Sequence, residues 1–180
     1  AAMALAAVEA FVGGGEQPLD ADVVRAAFAE VTSPGRLEIV RRSPTVLVDA
    51  AHNPAGIAAM AEAIRESFTF HRLVGVVAVL QEKDASSMLE LLEPLLDHIV
   101  VSRSTSPRSI RPDRLGAMAV ELFGEDRVTV VPDLPDALDI AAGLADEGGV
   151  SGAVLATGSI TTVADVRMLL GADERGDAQS

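Results

Sequence analysis

The sequence predicts an α/β domain with a mostly parallel sheet of about six strands, an antiparallel hairpin strand at its N-terminal side, and helices on both faces. Three observations predict it. Short apolar, β-branched runs alternate with helical patterns from about residue 37 to residue 170. The runs are the length of buried strands, and helix-forming stretches separate them. That alternation implies right-handed crossovers and a sheet covered on both sides.

The elements follow in order. Ala1 to Phe11 is Ala-rich and helical, and Gly13-Gly14-Gly15 ends it as a flexible joint. The chain starts without an initiator methionine, so a piece of a longer protein is expected. Asp20 or Asp22 is placed to cap a second helix through Ala29, with Val23, Val24, Ala27 and Phe28 on its apolar side. Residues 1–32 read as the helical tail of a preceding domain, and Thr32-Ser33-Pro34-Gly35 as the boundary loop.

Leu37 to Arg41 is an expected strand, and Ser43-Pro44 turns it into a second, Thr45 to Val48, as a hairpin. Asn53-Pro54 reads as an N-cap followed by proline at the first helical position. Ile57, Met60, Ala61, Ile64 and Phe68 then recur at helical spacing. Leu73 to Leu80 is a strand, followed by a helix through Met88, Leu89, Leu92 and Leu95. Ile99 to Val101 is a strand, and a long polar loop leads to a helix through Leu115, Met118, Ala119 and Leu122. Val128 to Val131 is a strand, with Leu134, Ala137, Leu138 and Ala141 on the next helix. Val150 to Ala156 is the last strand, and the last helix carries Ile160, Val163, Ala164, Arg167 and Leu170. The α/β domain is expected over residues 33–171, with 172–180 a polar, disordered tail.

Composition excludes several classes. The chain has 180 residues, enough for one sizeable core, and no cysteine. It has 14 Lys and Arg against 27 Asp and Glu, a formal charge of -13. So acidic a surface disfavours nucleic acid and anionic membranes, and five Phe with no Trp or Tyr provide no stacking platform. No apolar run is long enough to span a bilayer and no signal peptide is evident, so a cytoplasmic setting is expected. Phosphate must be held locally, by individual arginines and helix ends.

Candidate chemistry gathers at strand ends. Asp49 and His52 fall where a buried strand gives way to a helix, the edge at which open α/β sheets bind ligands. The helix N-terminus there favours an anion. A capped loop with purely local bonds is an equal alternative, and a two-residue metal site lacks further ligands. His71 and His98 precede strands and read as surface or boundary residues. Thr157-Gly158-Ser159 opens the last helix at the same edge, where Ser159 could bind a carboxylate or simply cap. Arg36 could clamp a phosphate or be solvated. Lys83 reads as a surface lysine. There is no Gly-x-x-x-x-Gly-Lys-Ser/Thr loop, no Gly-x-Gly-x-x-Gly after a strand, and no persuasive Ser-His-Asp order.

Four stretches taken together resemble folylpolyglutamate synthase, a family of the Mur ligase group in which some bacterial members are also dihydrofolate synthases. They are Ser33-Pro34-Gly35-Arg36-Leu37-Glu38, Asp49-Ala50-Ala51-His52-Asn53-Pro54, Leu80-Gln81-Glu82-Lys83-Asp84 and Thr157-Gly158-Ser159. The second is the most specific, and the Ala- and Val-rich style is similar to actinobacterial members. The resemblance covers about residues 33 to 171. It implies a Rossmann-like Mur ligase C-terminal domain, preceded by the last helices of an N-terminal ATPase domain. It also implies an ATP-dependent ligase that adds L-glutamate to a reduced folate through an acyl phosphate.

By the same resemblance, Arg36 and Asp49 contact ATP, and His52 and Ser159 serve the incoming glutamate. With Asp49 beside it, a cationic His52 would suit a carboxylate. The Mg2+ ligands and phosphate loop belong to the missing N-terminal domain, so residues 1–180 alone are expected to be catalytically silent. The partners implied are ATP, L-glutamate, the folate and the ATPase domain of the same chain, in a monomer. Two departures stand out: the family often has glycine or valine at Ala50, and an aromatic residue where this chain has Ile160-Thr161. The alternatives are another Mur-type amino-acid ligase, or a noncatalytic α/β binding domain.

Overall fold

The computed structural model describes residues 2–14, 19–31, 33–147 and 152–172. The expected tail over residues 172–180 lies outside them except for Ala172, as does part of the expected glycine joint. The chain divides into two compact units, Ala1–Pro34 and Gly35–Ser180. The division falls two residues beyond the end of the 1–32 segment read from sequence.

The first unit holds α1 (Ala2–Gly13) and α2 (Ala21–Glu30). Asp20 is the N-cap of α2, its carboxylate accepting from the Asp22 and Val23 amides. No residue of α2 is buried. Met3 and Phe11 are exposed, and an apolar groove runs between Leu5 and Val8 of α1 and Val24 and Phe28 of α2.

The second unit is a six-stranded sheet. Its strands are β1 (Glu38–Arg42), β2 (Thr45–Asp49), β3 (Arg72–Val77), β4 (His98–Val101), β5 (Val128–Val130) and β6 (Gly152–Thr157). The spatial order is β1-β2-β6-β3-β4-β5. Only β1 runs antiparallel, paired with β2 through the Ser43–Pro44 turn; all other pairings are parallel. β6, the last strand in sequence, is thus inserted between β2 and β3.

The helices are α3 (Pro54–Ser67), α4 (Ala85–Leu92), α5 (Pro112–Phe123), α6 (Leu134–Asp146) and α7 (Ile160–Leu169). Helices α3, α4 and α5 carry the chain stepwise from β2 to β5, and their apolar stripes share one core. Ile57, Met60 and Ile64 of α3 meet Met88 and Leu89 of α4 and Leu115 of α5 there, over Leu47 and Leu155 of the sheet. Helix α6 returns the chain from β5 to β6, so a right-handed crossover must lay it on the opposite face. Ala137, Leu138 and Ala141 of α6 and Val163 and Val166 of α7 pack there against Val48, Val76 and Val154. Both faces are covered, which is why the central strands are apolar throughout.

The element boundaries shift in places. Leu37 is not in β1: its φ is +41°, a left-handed conformation that starts the strand one residue later. β3 stops at Val77 rather than Leu80, because the chain turns away to pair Leu80 in an isolated bridge with Ser109. Leu95 lies beyond the end of α4, although its side chain still packs on the core. Residues 150 and 151 of the expected last strand lie outside the described residues.

His98 is no surface residue. It is buried at the start of β4, where its Nε2 meets Thr129 Oγ1 at 2.8 Å. Burial first, then the positive charge of Arg72, holds its imidazole below the ordinary range; Arg127 adds to this and Glu147 opposes it. The folded chain therefore protonates His98 less readily than the unfolded chain, which takes up a proton near pH ~6.5. Stability from the neutral ring is complete above that pH and is lost as pH falls through it toward the lower folded-state value. The midpoint of urea unfolding, compared at pH 7.5 and 5.5 (about one unit either side), should fall more for wild type than for His98→Gln. An equal fall would assign the acid sensitivity elsewhere.

Candidate functional site

The parallel strands β2, β6 and β3 end side by side, with Asp49 paired to Thr157 and Val77 paired to the same Thr157. Thr157 is fully buried, and its hydroxyl donates to the Asp49 carbonyl at 2.8 Å. At Gly158 the chain leaves β6 with φ +106°, and a Cβ there would lie 2.7 Å from the Ala78 carbonyl oxygen. Only glycine fits, both for its φ and for the approach to the neighbouring backbone.

Asp49 is 5% exposed, and both of its carboxylate oxygens are engaged. Oδ1 accepts from the Ala51 amide at 2.8 Å, and Oδ2 from the Leu37 amide at 2.9 Å. The first bond tightens the loop after β2. The second reaches twelve residues back and stabilises the left-handed backbone of Leu37, which costs about 1 to 2 kcal/mol in a residue other than glycine. Arg36 stands next to it with a side chain 56% exposed, its Nη1 3.9 Å from Asp49 Oδ1. Arg36 and Asp49 line a shallow cavity of about 280 Å3 with Gly56, Ala59 and Met60 of α3.

His52 is partly exposed in the same loop. Its Nδ1 lies 3.1 Å from the Ala50 carbonyl oxygen. A carbonyl only accepts, so Nδ1 carries the proton in this contact and Nε2 is the second ring position. Among the described residues no hydrogen bond or ion pair joins His52 to Asp49, whose carboxylate turns to the Leu37 and Ala51 amides instead. The start of α3 is also locally satisfied. Pro54 has no N–H, the Gly56 amide donates to Asn53 Oδ1 at 2.8 Å, and the Ile57 amide to the Asn53 carbonyl. That helix end keeps less capacity for an anion than its position in the sequence implies.

Ser159 caps α7. It is 1% exposed and accepts from the Thr162 amide at 3.0 Å. The Thr162 hydroxyl donates to the Ala78 carbonyl at 3.1 Å, so in the 2.7 Å contact between the two hydroxyls Ser159 is the donor. Its proton is therefore committed inside the protein. The structure thus brings Arg36 and Asp49 into one cavity wall and places His52 on the adjoining loop. It sets Ser159 on the neighbouring strand end as a buried cap. Lys83 lines a separate cavity with Asp84 and Arg114.

Sequence reasoning missed four residues. Thr157 and Thr162 knit the three strand ends together; Thr157 stood in the Thr157-Gly158-Ser159 stretch without a role of its own, and nothing in the local sequence sets Thr162 apart from an ordinary β-branched core residue. Glu38 and Arg167 form an ion pair behind the Arg36 loop. They lie 129 residues apart, and only the spacing of Glu38 three residues after Gly35 gave any signal.

The fold is a mostly parallel α/β sheet with an arginine loop, a buried aspartate and two capped helices at the ends of its central strands, and the chain belongs to the Mur ligase family through its glutamate ligase domain, matched over residues 35–160. Its relatives are folylpolyglutamate synthases. The dihydrofolate synthase/folylpolyglutamate synthase of Mycobacterium tuberculosis is 47% identical over 96% of this chain and 38% of its own length. The crystal structure of M. tuberculosis folylpolyglutamate synthase complexed with ADP and AMPPCP superimposes with a TM-score of 0.88, covering 94% of this chain and 38% of that one. E. coli FolC in complex with DHPP and ADP gives 0.78 at 26% identity, covering 96% of this chain and 39% of that one. The chain therefore spans somewhat over a third of the length of these relatives.

Asp49 and Arg36 differ sharply in what they hold together. Asp49→Asn replaces one acceptor by an amide donor facing a backbone N–H, which should cost about 2 kcal/mol. Arg36→Ala removes an exposed side chain and should stay within about 0.5 kcal/mol of wild type. Urea unfolding of this chain checks both; equal midpoints for the two variants would contradict the anchoring role of Asp49.

Proposed function

We propose that this chain is the C-terminal domain of an ATP-dependent ligase that adds L-glutamate to folates, a tetrahydrofolylpolyglutamate synthase that also serves as dihydrofolate synthase. The observation that carries the reading is the Arg36–Asp49 cavity wall at the ligand edge, in a domain 47% identical to the M. tuberculosis enzyme. ATP would phosphorylate a folate carboxylate to an acyl phosphate, which the glutamate amine attacks, leaving an amide and phosphate.

In this reading Arg36 reaches the nucleotide. An exposed guanidinium held at its base by a fixed loop can meet the charge that builds on the transferred phosphoryl group. Asp49 contributes mainly by holding that loop, since both its oxygens already accept backbone amides. Its remaining lone pairs could meet a ribose hydroxyl. The glutamate falls to His52, whose Nε2 can donate to a carboxylate when protonated. Ser159 shapes the same edge by fixing the first turn of α7.

Among the described residues no group of three or more His, Asp or Glu side chains is placed to hold a metal. We assign the Mg2+ ligands and the phosphate loop to a preceding ATPase domain of the same protein. The apolar groove of α1 and α2 would pack on that domain, as the tail of its fold. Cytoplasmic location and a monomer are part of the same proposal; no helix among the described residues is long and apolar enough to cross a membrane.

The test is glutamate-dependent ADP release by the intact protein, with Mg-ATP and either tetrahydrofolate or dihydropteroate. Activity should appear with a pterin substrate and fall about 100-fold or more in Arg36→Ala, as for loss of a group that meets transition-state charge. His52→Ala should raise KM for glutamate. Residues 1–180 alone should release no ADP. Failure with both pterins would refute the folate assignment, and full activity in Arg36→Ala would refute its role.

A further inference from the structure

The loop that carries Arg36 is gripped from two sides, and the proposed ATP role uses only one of them. On the first side stands Asp49, through the Leu37 amide. On the second, Glu38 Oε2 accepts the Gly35 amide at 2.7 Å and forms an ion pair with Arg167 Nη1 of α7. The Gly35 carbonyl in turn accepts the Ala50 amide at 2.8 Å. Gly35 itself is buried with φ +73°, and a Cβ there would lie 2.9 Å from Val163 Cγ1 of α7. Both backbone groups of Gly35 and the N–H of Leu37 are thus fixed, and Arg36 is suspended between two anchored residues.

This arrangement has a cost that a mere staple would not need. Glu38 and Arg167 have side chains only 28% and 15% exposed. Partial burial of a charge pair recovers little net stability unless further hydrogen bonds complete it. The Gly35 amide is such a bond, and it belongs to the loop, not to the strand or helix that the pair joins. Arg167 also lies on the helix that Ser159 caps, so the pair ties the Arg36 loop to the element opening at the proposed glutamate edge.

We propose that Glu38 and Arg167 are positioning residues for Arg36. They set the loop from the last turn of α7, so that the nucleotide arginine holds one fixed geometry against that helix. Neither residue touches the nucleotide. The inference rests on the ATP role assigned to Arg36 above.

A double-mutant cycle on the intact protein tests it. Steady-state KM for ATP, KM for glutamate and kcat are measured for wild type, Glu38→Gln, Glu38→Ala, Arg36→Ala and Glu38→Ala/Arg36→Ala, with the thermal midpoint of each. Glu38→Gln keeps an acceptor for the Gly35 amide and loses the ion pair, so it should lower kcat about threefold. Glu38→Ala loses both and should lower kcat about tenfold, with KM for glutamate within about twofold of wild type. In the Arg36→Ala background Glu38→Ala should add less than about twofold, because its effect passes through the missing side chain. Arg167→Gln, approached from α7, should reproduce the Glu38→Gln value if Glu38→Ala folds poorly.

Additive effects in the double variant would overturn the proposal and reduce the pair to a staple. So would a lowered thermal midpoint with an unchanged kcat. An Arg36→Ala variant with unaltered ATP kinetics would remove the nucleotide role itself, and the positioning role with it.

Discussion

The Asp49 carboxylate joins the end of β2 to a loop twelve residues earlier in the chain. Burying a charged group costs several kcal/mol unless its lone pairs are met, and here two backbone amides meet them. Hydrogen bonds to a charged acceptor are about twice as strong as neutral ones. That strength is used on Leu37, whose left-handed backbone would otherwise relax. With Leu37 held, the polypeptide arrives at Glu38 ready to pair with β2, and Arg36 projects from a loop whose two neighbours cannot move. The edge strand and the candidate site therefore depend on one side chain.

The strand ends around Asp49 are organised by a second set of buried polar groups. Thr157 bonds the Asp49 carbonyl, Thr162 bonds the Ala78 carbonyl, and Ser159 closes onto Thr162. Each satisfies a backbone group where the parallel ladder stops and its partners run out. The result is a rigid rim. A rigid rim suits a site in which an arginine must stand at a fixed place rather than be gathered in by the ligand. Gly158 in this rim has no room for a side chain, since a Cβ there would lie 2.7 Å from the Ala78 carbonyl oxygen.

The candidate site was legible to different degrees. Asp49, His52 and Arg36 were readable because each follows a local signal: a strand end, a capped helix start, a Pro-Gly turn. Ser159 was equally visible, with its two readings left open, and the structure shows the cap. A hydroxyl at a helix start is claimed by the N3 amide as easily as by a ligand, and sequence carries no information on which partner wins. Asp49 was read for its charge toward a ligand, and its backbone partners escaped notice because Leu37 looked like an ordinary strand residue. Its φ is imposed by the return of the chain to β2. Glu38 and Arg167 could not be paired at all, since no local pattern links β1 to the final helix.

The sequence by itself determined the elements and their alternation. Helical periodicity, β-branched runs and caps act over a few residues, and the Asn53-Pro54 start of α3 and the buried run of β2 are written there in full. The right-handed crossover rule then placed helices on both faces. Tertiary structure decided the strand order, above all the insertion of β6 between β2 and β3. Parallel pairing joins residues a hundred positions apart, as Asp49 to Thr157, and every central strand of this sheet is apolar enough to accept several neighbours. Only the simultaneous packing of α6 and α7 on the second face selects one order, and with it which loops meet to form the site.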